Sequence, residues 1–157
     1  MSSKSLPFPF SLYMLPELKD FRLKTRLNLR YGDIDMLQHV NNTRYFAFME
    51  DSRIHYAWEV LGWRGENDEL NMILAHAEAD FIQPIFLFDE IDLYARCSQL
   101  GNKSYTFEYL FVRQKADRQE ICAKGKAVVV SWDLATQSTH PLPEEIRQKI
   151  IAYEPAL

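Results

Sequence analysis

The chain has 157 residues, of which 47% are hydrophobic and 25% are charged, and its formal net charge is −4. This length suits one domain that buries roughly 68–70% of the surface exposed by its unfolded chain. The acidic balance argues against a protein whose affinity comes from neutralising nucleic-acid phosphates. The two cysteines, Cys97 and Cys122, are too few for a disulfide framework and are predicted to be reduced core thiols.

The first twenty residues are apolar in patches, but three prolines interrupt them and no small-residue cleavage site follows. We expect residues 1–20 to form an N-terminal arm that lies over the domain or a neighbouring subunit. The domain itself is predicted to span residues 21–157. No apolar stretch approaches the length of about 18 residues that suggests a membrane span. The sequence therefore predicts a cytoplasmic protein.

The first regular elements are a strand and a long helix. Residues 22–30 alternate leucines with basic residues, which is typical of a half-buried strand. Between residues 43 and 60 this period disappears, and apolar side chains cover most of the helical circumference, which predicts a helix buried on all sides. Asn41, Asn42 and Thr43 are suitable N-cap residues, and Gly62 is suited to end the helix.

A period of two returns after the helix, and turn-forming residues divide this part of the chain into four strands. The first of them carries Ala75, Ala77 and Ala79 on one face, which predicts that the helix approaches closely there. Two prolines introduce a short C-terminal helix. The predicted strands are residues 72–81, 91–98, 105–111 and 121–132, and the predicted helix is residues 144–152.

Two architectures fit five antiparallel strands and one long apolar helix: an open α+β sandwich, or a sheet curled around the helix. The curled sheet explains more, because a helix enclosed by a sheet must be apolar nearly all round. An open sheet has edges, and pairing edge to edge with a second copy covers one of them. We therefore expect an α+β domain with a five-stranded antiparallel sheet curled around a central helix, assembled as a homo-oligomer.

The loop between the first strand and the helix concentrates polar residues, with Asp33, Asp35 and His39 preceding Asn41 and Asn42. Loops on a rigid scaffold often carry functional sites. The backbone N–H groups near Asn41, Asn42 and Thr43, at the helix start, are suited to stabilise an oxyanion, and a nearby carboxylate is suited to attack a carbonyl carbon or to deprotonate water. Acyl transfer needs both an oxyanion donor and a carboxylate in such positions. Each residue also has a structural interpretation, because Asp and Asn commonly form turns and helix caps.

Other polar residues give weaker signals. Glu50 and Arg53 stand three residues apart on the helix and most simply form an ion pair, although Glu50 is also placed to face a site. The sequence contains no metal-ligand pattern, no serine nucleophile elbow and no phosphate-binding glycine loop. Any catalysis is therefore predicted to rest on a carboxylate and a helix start, without a metal.

The stretch RYGDIDMLQHVNNTRYFAFMEDSR, residues 30–53, resembles the signature of hot-dog thioesterases of the 4-hydroxybenzoyl-CoA thioesterase and YbgC-like group. Its His-Val-Asn-Asn-x-x-Tyr portion is similar to the acyl-ACP thioesterases. The resemblance extends from Phe21 to about Pro143 and includes the segments FIQPIFLFDEIDL and LGNKSYTFEY. It implies a hot-dog fold, in which a curled sheet wraps a central helix, and dimers that often pair again into tetramers.

The resemblance also implies roles for individual residues. Asp35 matches the catalytic carboxylate of the family, and the backbone N–H near Asn41 matches its oxyanion contact. Asn42 stands where many YbgC-like members carry His, and Leu37 replaces an Asn that acyl-ACP enzymes carry two residues before the counterpart of His39. Lys103 and Ser104 lie in a turn that can meet coenzyme A phosphates in relatives. The candidate catalytic residues are Asp35, His39, Asn41 and Asn42, and the candidate substrate-binding residues are Tyr45, Glu50, Lys103 and Ser104.

The predicted function is hydrolysis of an acyl-CoA to free acid and CoA, with Asp35 as nucleophile or general base. Coenzyme A arrives with the substrate, and no separate cofactor is expected. The alternatives are an acyl-ACP thioesterase and a hot-dog protein that binds an acyl group without turnover. A dehydratase is disfavoured, because residues 35–39 do not match the Asp-x-Asn-x-x-His pattern of those enzymes.

Overall fold

The computed structural model describes residues 18–65 and 71–157. Strand β1 is Leu23–Arg26, and helix α1 is Asn42–Tyr56, which a π-helical turn, Ala57–Leu61, extends. Helix α2 is Glu144–Tyr153. The remaining strands are β2 Met72–Phe81, β3 Ile91–Leu100, β4 Ser104–Gln114, β5 Gln119–Asp133 and the two-residue β6 Ser138–Thr139.

The five longer strands form one sheet in the order β1-β3-β4-β5-β2, and all neighbours pair antiparallel. The short β6 pairs with the end of β5. Strands β1 and β2 are consecutive in the chain but occupy opposite edges, and α1 is the element that connects them across the sheet. The predicted α+β domain, a curled five-stranded sheet around a central helix, is confirmed.

Helix α1 buries one face against the concave side of the sheet, through Tyr45, Phe48, Met49 and Tyr56. The helix approaches closely at Gly125 on β5, where an added Cβ would overlap the sulfur of Met49. Close packing of this kind needs a residue without a side chain. The helix also packs against β2, as predicted, where Tyr45 contacts Phe81, although Ala75 on that strand is exposed.

The helix is not enclosed on all sides. Phe46, Ile54 and Trp58 are 38%, 47% and 47% exposed. The prediction of a helix buried all round is thus wrong for the single chain, because the sheet covers one side of it. The apolar residues of the other side remain available for contacts outside the chain.

Strand β1 has four residues rather than the nine predicted for residues 22–30. It pairs with β3, and the N–H of Leu27 donates to the carbonyl of Ile91, the first residue of β3, at 2.9 Å. Beyond this point β3 offers no further partner, and the chain enters a short 3-10 turn at Tyr31–Asp33. Leu29 still packs against the core, which explains why the alternating pattern continues past the strand.

The predicted helix ends and thiols are confirmed. Asn41 is the N-cap of α1, and Gly62 follows its last turn in the left-handed conformation with φ 77°. Cys97 and Cys122 are free and buried. Most of the proposed N-terminal arm, residues 1–20, lies outside the described residues. Its last three residues, Leu18–Asp20, form a short 3-10 turn. The boundary between arm and domain stays a prediction. Within the described ranges, no helix combines the length and apolar character needed to cross a membrane.

Candidate active site

The loop before α1 folds back on itself. Ile34 and Val40 form an isolated antiparallel bridge, and the N–H of Asp35 donates to the carbonyl of His39 at 3.1 Å. Gln38, at the tip, has φ 65°, and its N–H donates to the carbonyl of Asp35 at 2.9 Å. Asp35 and His39 therefore stand side by side at the neck of this loop.

The same loop is attached to the connection between β2 and β3. The N–H of Val40 donates to the carbonyl of Ile85 at 2.7 Å, and both residues are buried. This bond joins the chain just before α1 to the chain just after β2. The position of the loop thus depends on residues more than forty positions away in the sequence.

Asp33 serves the structure of the loop. Its buried carboxylate accepts from the N–H of Arg30 at 2.8 Å and from Nε and Nη2 of Arg44, each at 2.7 Å. Its carbonyl accepts from the N–H of Asn41 at 2.9 Å. Both oxygens of this buried carboxylate accept hydrogen bonds, so the side chain is held in one position.

Asp35 is only half-buried and is less engaged. One of its carboxylate oxygens accepts from the N–H of Leu37 at 2.8 Å, which is a common turn interaction. No lysine or arginine in the part of the chain that the structure describes forms an ion pair with it. Its second oxygen is therefore available to a substrate or a water molecule.

The start of α1 offers one free donor among those predicted. The side chain of Asn41 accepts from the N–H of Thr43 at 2.9 Å, and the N–H of Asn41 already donates to Asp33. The N–H of Asn42 has no acceptor among residues 18–65 and 71–157. It points from the positive end of the helix dipole and is the donor best suited to an oxyanion.

A cavity of about 300 Å³ opens beside this donor. Tyr45 packs edge-on against Phe81 with ring centroids 4.9 Å apart. Burial raises the pKa of Tyr45 to about 12, so its hydroxyl stays neutral at physiological pH. Asp35 does not line the cavity, but its backbone N–H donates to the carbonyl of His39, which does. The lining residues are His39, Val40, Asn42, Tyr45, Phe81, Ile82, Gln83 and Pro84.

Glu50 lies two turns along α1 from this cavity, on the rim of a second cavity of about 200 Å³. The predicted ion pair between Glu50 and Arg53 is not formed, because Arg53 donates instead to the hydroxyl of Tyr109 at 3.3 Å. In the described ranges Glu50 has no ion-pair partner, and it is exposed. The second cavity also includes Ile54, Leu74 and Trp63 in its lining.

Lys103 and Ser104 lie at the other end of the sheet. Ser104 and Phe111, which packs on Tyr45, are seven residues apart on β4, a separation of roughly 24 Å. The ammonium of Lys103 donates to the hydroxyl of Thr139 at 3.1 Å. In a single chain the structure thus brings together Asp35, His39, Asn42 and Tyr45, but not Lys103 or Ser104.

Sequence reasoning missed the cavity wall formed by Ile82, Gln83 and Pro84. Their contact with the loop depends on strand pairing between distant segments, and Pro84 at the end of a strand was the one local signal of an irregular connection. Elsewhere, His55 is hydrogen-bonded to Thr25 at 3.3 Å. Over the described ranges, no group of three or more His, Cys, Asp or Glu side chains is arranged to hold a metal ion.

The comparison with protein families agrees with this geometry. Residues 29–150 match the model of the thioesterase-like superfamily, which covers the loop, the helix and most of the sheet. The chain belongs to this superfamily. It is therefore a thioester hydrolase, and the predicted resemblance to hot-dog thioesterases is confirmed.

Two curated relatives cover most of this thioesterase. The long-chain acyl-CoA thioesterase FadM of Escherichia coli is 26% identical over 136 residues, which are 82% of this chain and 96% of FadM. The uncharacterized protein YsmA of Bacillus subtilis is 27% identical over 110 residues, which are 70% of this chain and 72% of YsmA.

Solved structures share its fold. A thioesterase from Thermus thermophilus, complexed with coenzyme A and Zn, has a TM-score of 0.75 and 33% identity, with 85% of this chain and 95% of that chain covered. A variant of 4-hydroxybenzoyl-CoA thioesterase, complexed with 4-hydroxybenzoyl-CoA, has a TM-score of 0.74 and 12% identity, with 82% and 97% covered. At that identity the second likeness supports the fold alone.

Proposed function

We propose that this thioesterase hydrolyses an acyl-CoA to the free acid and CoA, with Asp35 as the carboxylate that acts on the thioester. One observation carries the proposal. Within the loop and the helix start, Asp33 and Asn41 are fully engaged in structural bonds, while the Asp35 carboxylate and the Asn42 N–H retain bonding capacity; Asn42 lines the cavity, and so does His39, which is bonded to the backbone of Asp35. Hydrolysis of a thioester needs a carboxylate and an oxyanion donor in such a place.

In the proposed mechanism, the thioester carbonyl enters the cavity with its oxygen at the Asn42 N–H. Asp35 either takes a proton from a water that attacks the carbonyl carbon, or attacks that carbon itself; in the second case loss of the thiolate leaves a mixed anhydride on Asp35, which a water then hydrolyses to the free acid and the Asp35 carboxylate. The C–S bond of the tetrahedral intermediate then breaks, and the electron pair leaves with sulfur. A thiol of pKa about 8.5 is a good leaving group, so a strong general acid is not required. His39, at the rim, is proposed to orient the water, and Tyr45 to contact the acyl group.

Coenzyme A as the carrier is supported by the relatives. FadM is named an acyl-CoA thioesterase, and the Thermus protein was crystallised with coenzyme A. The apolar side chains of the cavity, including Val40, Phe81 and Ile82, suit a hydrocarbon acyl group.

The exposed edge of the sheet at β2 is suited to bind a second copy of the chain. Strand β2 is an edge strand, and its side chains Ile73, Leu74 and Phe81 are exposed. Exposed apolar edges of this kind favour pairing with another sheet. We propose that β2 pairs antiparallel with β2 of a second subunit, in a dimer or a tetramer that works in the cytoplasm.

This pairing would change the neighbours of the site. Helix α1 runs antiparallel to β2, because Tyr45 near its start contacts Phe81, and Ile54 near its end shares a cavity with Leu74. Antiparallel pairing of β2 therefore places the Phe81 end of one subunit beside the Met72 end of the other. In that arrangement Glu50, Lys103 and Ser104 of the partner subunit approach the substrate, in keeping with their predicted binding roles.

The test is thiol release, followed with a colorimetric thiol reagent, over short, medium, long and aromatic acyl-CoAs. Wild-type protein is expected to turn over at least one class, and Asp35→Asn to lower kcat at least roughly a hundredfold without loss of folding. Activity of Asp35→Asn within a few-fold of wild type would remove Asp35 from the mechanism. The same acyl group on an acyl carrier protein is measured in parallel. Release from that carrier alone would replace CoA as the substrate, and tight binding without release would contradict hydrolysis.

A further inference from the structure

Arg113 is a buried charged side chain close to the proposed site, but it does not line the cavity. It lies near the end of β4, and its side chain is 10% exposed. Its guanidinium donates to Asp89 at 3.0 Å, to the side chain of Gln83 at 3.4 Å and to the carbonyl of Pro84. A fourth partner, Glu120 on β5, is 3.2 Å away. Three of the four acceptors therefore belong to the connection between β2 and β3.

This connection forms one wall of the cavity. Gln83 and Pro84 line it together with Asn42, and the carbonyl of the next residue, Ile85, accepts from the N–H of Val40 at 2.7 Å. The guanidinium therefore binds two residues of the wall, Gln83 and Pro84. Pro84 is adjacent in sequence to Ile85, whose carbonyl bonds the loop that carries Asp35. Arg26 on β1 also binds the connection, at Glu90, 2.9 Å away, but Glu90 does not line the cavity.

We infer that Arg113 is a positioning residue for thioester hydrolysis: it sets the spacing between the cavity wall and the loop that carries Asp35. This inference rests on the proposed function. Small displacements of a reacting group cost much of the advantage of a positioned site. Arg113 acts through Pro84 and Ile85, without touching the substrate.

The shape of the guanidinium explains why arginine is needed here. Its planar fork of five donors reaches a carboxylate, an amide oxygen and a backbone carbonyl at once, whereas a lysine presents one compact charge. Glu120 does not depend on Arg113 alone, since Lys115 and Arg118 bind its other oxygen at 2.8 and 2.9 Å. A change at Arg113 is thus expected to act mainly on the connection.

Arg96 provides a matched control. It lies on β3, its side chain is 15% exposed, and it binds Glu108 at 2.7 Å. It also lies over the ring of Phe21, 4.8 Å from the centroid, on the face of the sheet away from α1. Arg96→Lys therefore removes a comparable guanidinium from a comparable strand without touching the cavity wall.

The experiment compares wild type, Arg113→Lys and Arg96→Lys by Tm, by kcat and KM on the best acyl-CoA, and by hydrogen exchange of the Val40 amide. Arg113→Lys is expected to lower kcat roughly ten- to a hundredfold with KM within about twofold. It is also expected to speed Val40 exchange at least about tenfold. Arg96→Lys should shift Tm by a similar amount but leave kcat and Val40 exchange unchanged. Guanidinium ion added to Arg113→Ala should restore part of the lost kcat.

Wild-type kcat and Val40 exchange in Arg113→Lys would overturn the inference, as would equal kcat losses in both variants. If Arg113→Lys does not fold, Asp89→Asn weakens the same contact with little change in shape, and a kcat loss with faster Val40 exchange is then expected. Inactive wild-type protein would count against the proposed function instead, while Val40 exchange would still decide whether Arg113 holds the loop.

Discussion

The two ends of the sheet differ in what their polar groups are bonded to. At the Phe81 end, where α1 starts, the Asn42 N–H and one oxygen of Asp35 lack partners among the described residues. At the Met72 end, cationic side chains bind backbone carbonyls of turns and helix ends: Lys149 to Leu61 at 2.9 Å, Arg147 to Gly101 at 2.6 Å and Arg64 to Trp58 at 2.9 Å.

This difference separates charged residues that stabilise the fold from those that are available for chemistry. Both ends contain charged side chains in turns, and a sequence motif alone does not separate them. A polar group that is already engaged by the protein contributes to stability, whereas one left partly unengaged beside a cavity is available to a ligand. The same rule separates Asp33 from Asp35, two residues apart in one loop.

The strongest test of that rule is Asp33→Asn beside Asp35→Asn. Asp33→Asn removes a buried charge from the contact with Arg44, and we expect the free energy of unfolding to fall by roughly 2 kcal/mol, or about 5 °C in Tm. Asp35→Asn should leave Tm nearly unchanged and remove activity. Thermal unfolding and kcat for both variants make the check. Stability loss in Asp35→Asn with none in Asp33→Asn would reverse the two assignments.

A smaller, pH-dependent effect is expected at Glu154, which is buried where α1 ends. It accepts from the N–H of Cys97 at 2.7 Å and from the hydroxyl of Tyr56 at 2.8 Å. Burial raises the pKa of Glu154 above its usual 4.5, so the folded state holds the proton more tightly than the unfolded state. The stability contributed by this difference is present below pH 4.5 and is lost as the pH rises through the raised pKa.

Glu154→Gln keeps the acceptor oxygen and removes the titration. The Tm of wild type relative to Glu154→Gln should therefore decrease by a few degrees as pH rises from about 4 to about 8, with kcat unchanged at any pH. A Tm difference that stays constant with pH would show that the carboxyl does not titrate in this range with a raised pKa.

The smallest effect is expected at Lys103. If the partner subunit brings this side chain to the substrate, Lys103→Ala should raise KM for an acyl-CoA roughly two- to fivefold without changing kcat, the size of one exposed charge contact. Lys126→Ala, on the same domain but on β5, is the matched control and should change neither constant. An unchanged KM in Lys103→Ala would confine the site to the Phe81 end.

Periodicity was sufficient to predict the order of the elements, the curled sheet and the caps at Asn41 and Gly62. It overestimated β1, because the length of a strand depends on where its partner begins, and Ile91 is far away in the sequence. It also predicted an ion pair between Glu50 and Arg53, since nothing local reveals that Tyr109 lies within reach of Arg53.

The loop could be chosen from the sequence, but its chemistry could not be resolved there. The backbone N–H groups near Asn41, Asn42 and Thr43 were all candidate oxyanion donors in the sequence. Folding engages two of them, through the carbonyl of Asp33 and the side chain of Asn41, and leaves Asn42. The role of Arg113 likewise depends on contacts made only when β4 meets the connection after β2.

The most direct measurement compares kcat of Asn42→Pro with kcat of Asn42→Ala. Proline removes the N–H at the first helical position, where it is well tolerated, and Asn41 already has the extended conformation, φ −60° and ψ 137°, that a following proline needs. Alanine removes the side chain and keeps the N–H.

Both variants should fold with nearly wild-type Tm. We predict that Asn42→Ala keeps kcat within about tenfold of wild type, whereas Asn42→Pro lowers it roughly a hundred- to a thousandfold, as expected for loss of an oxyanion donor. Equal kcat in the two variants would contradict the claim that the free amide at the start of α1 stabilises the transition state.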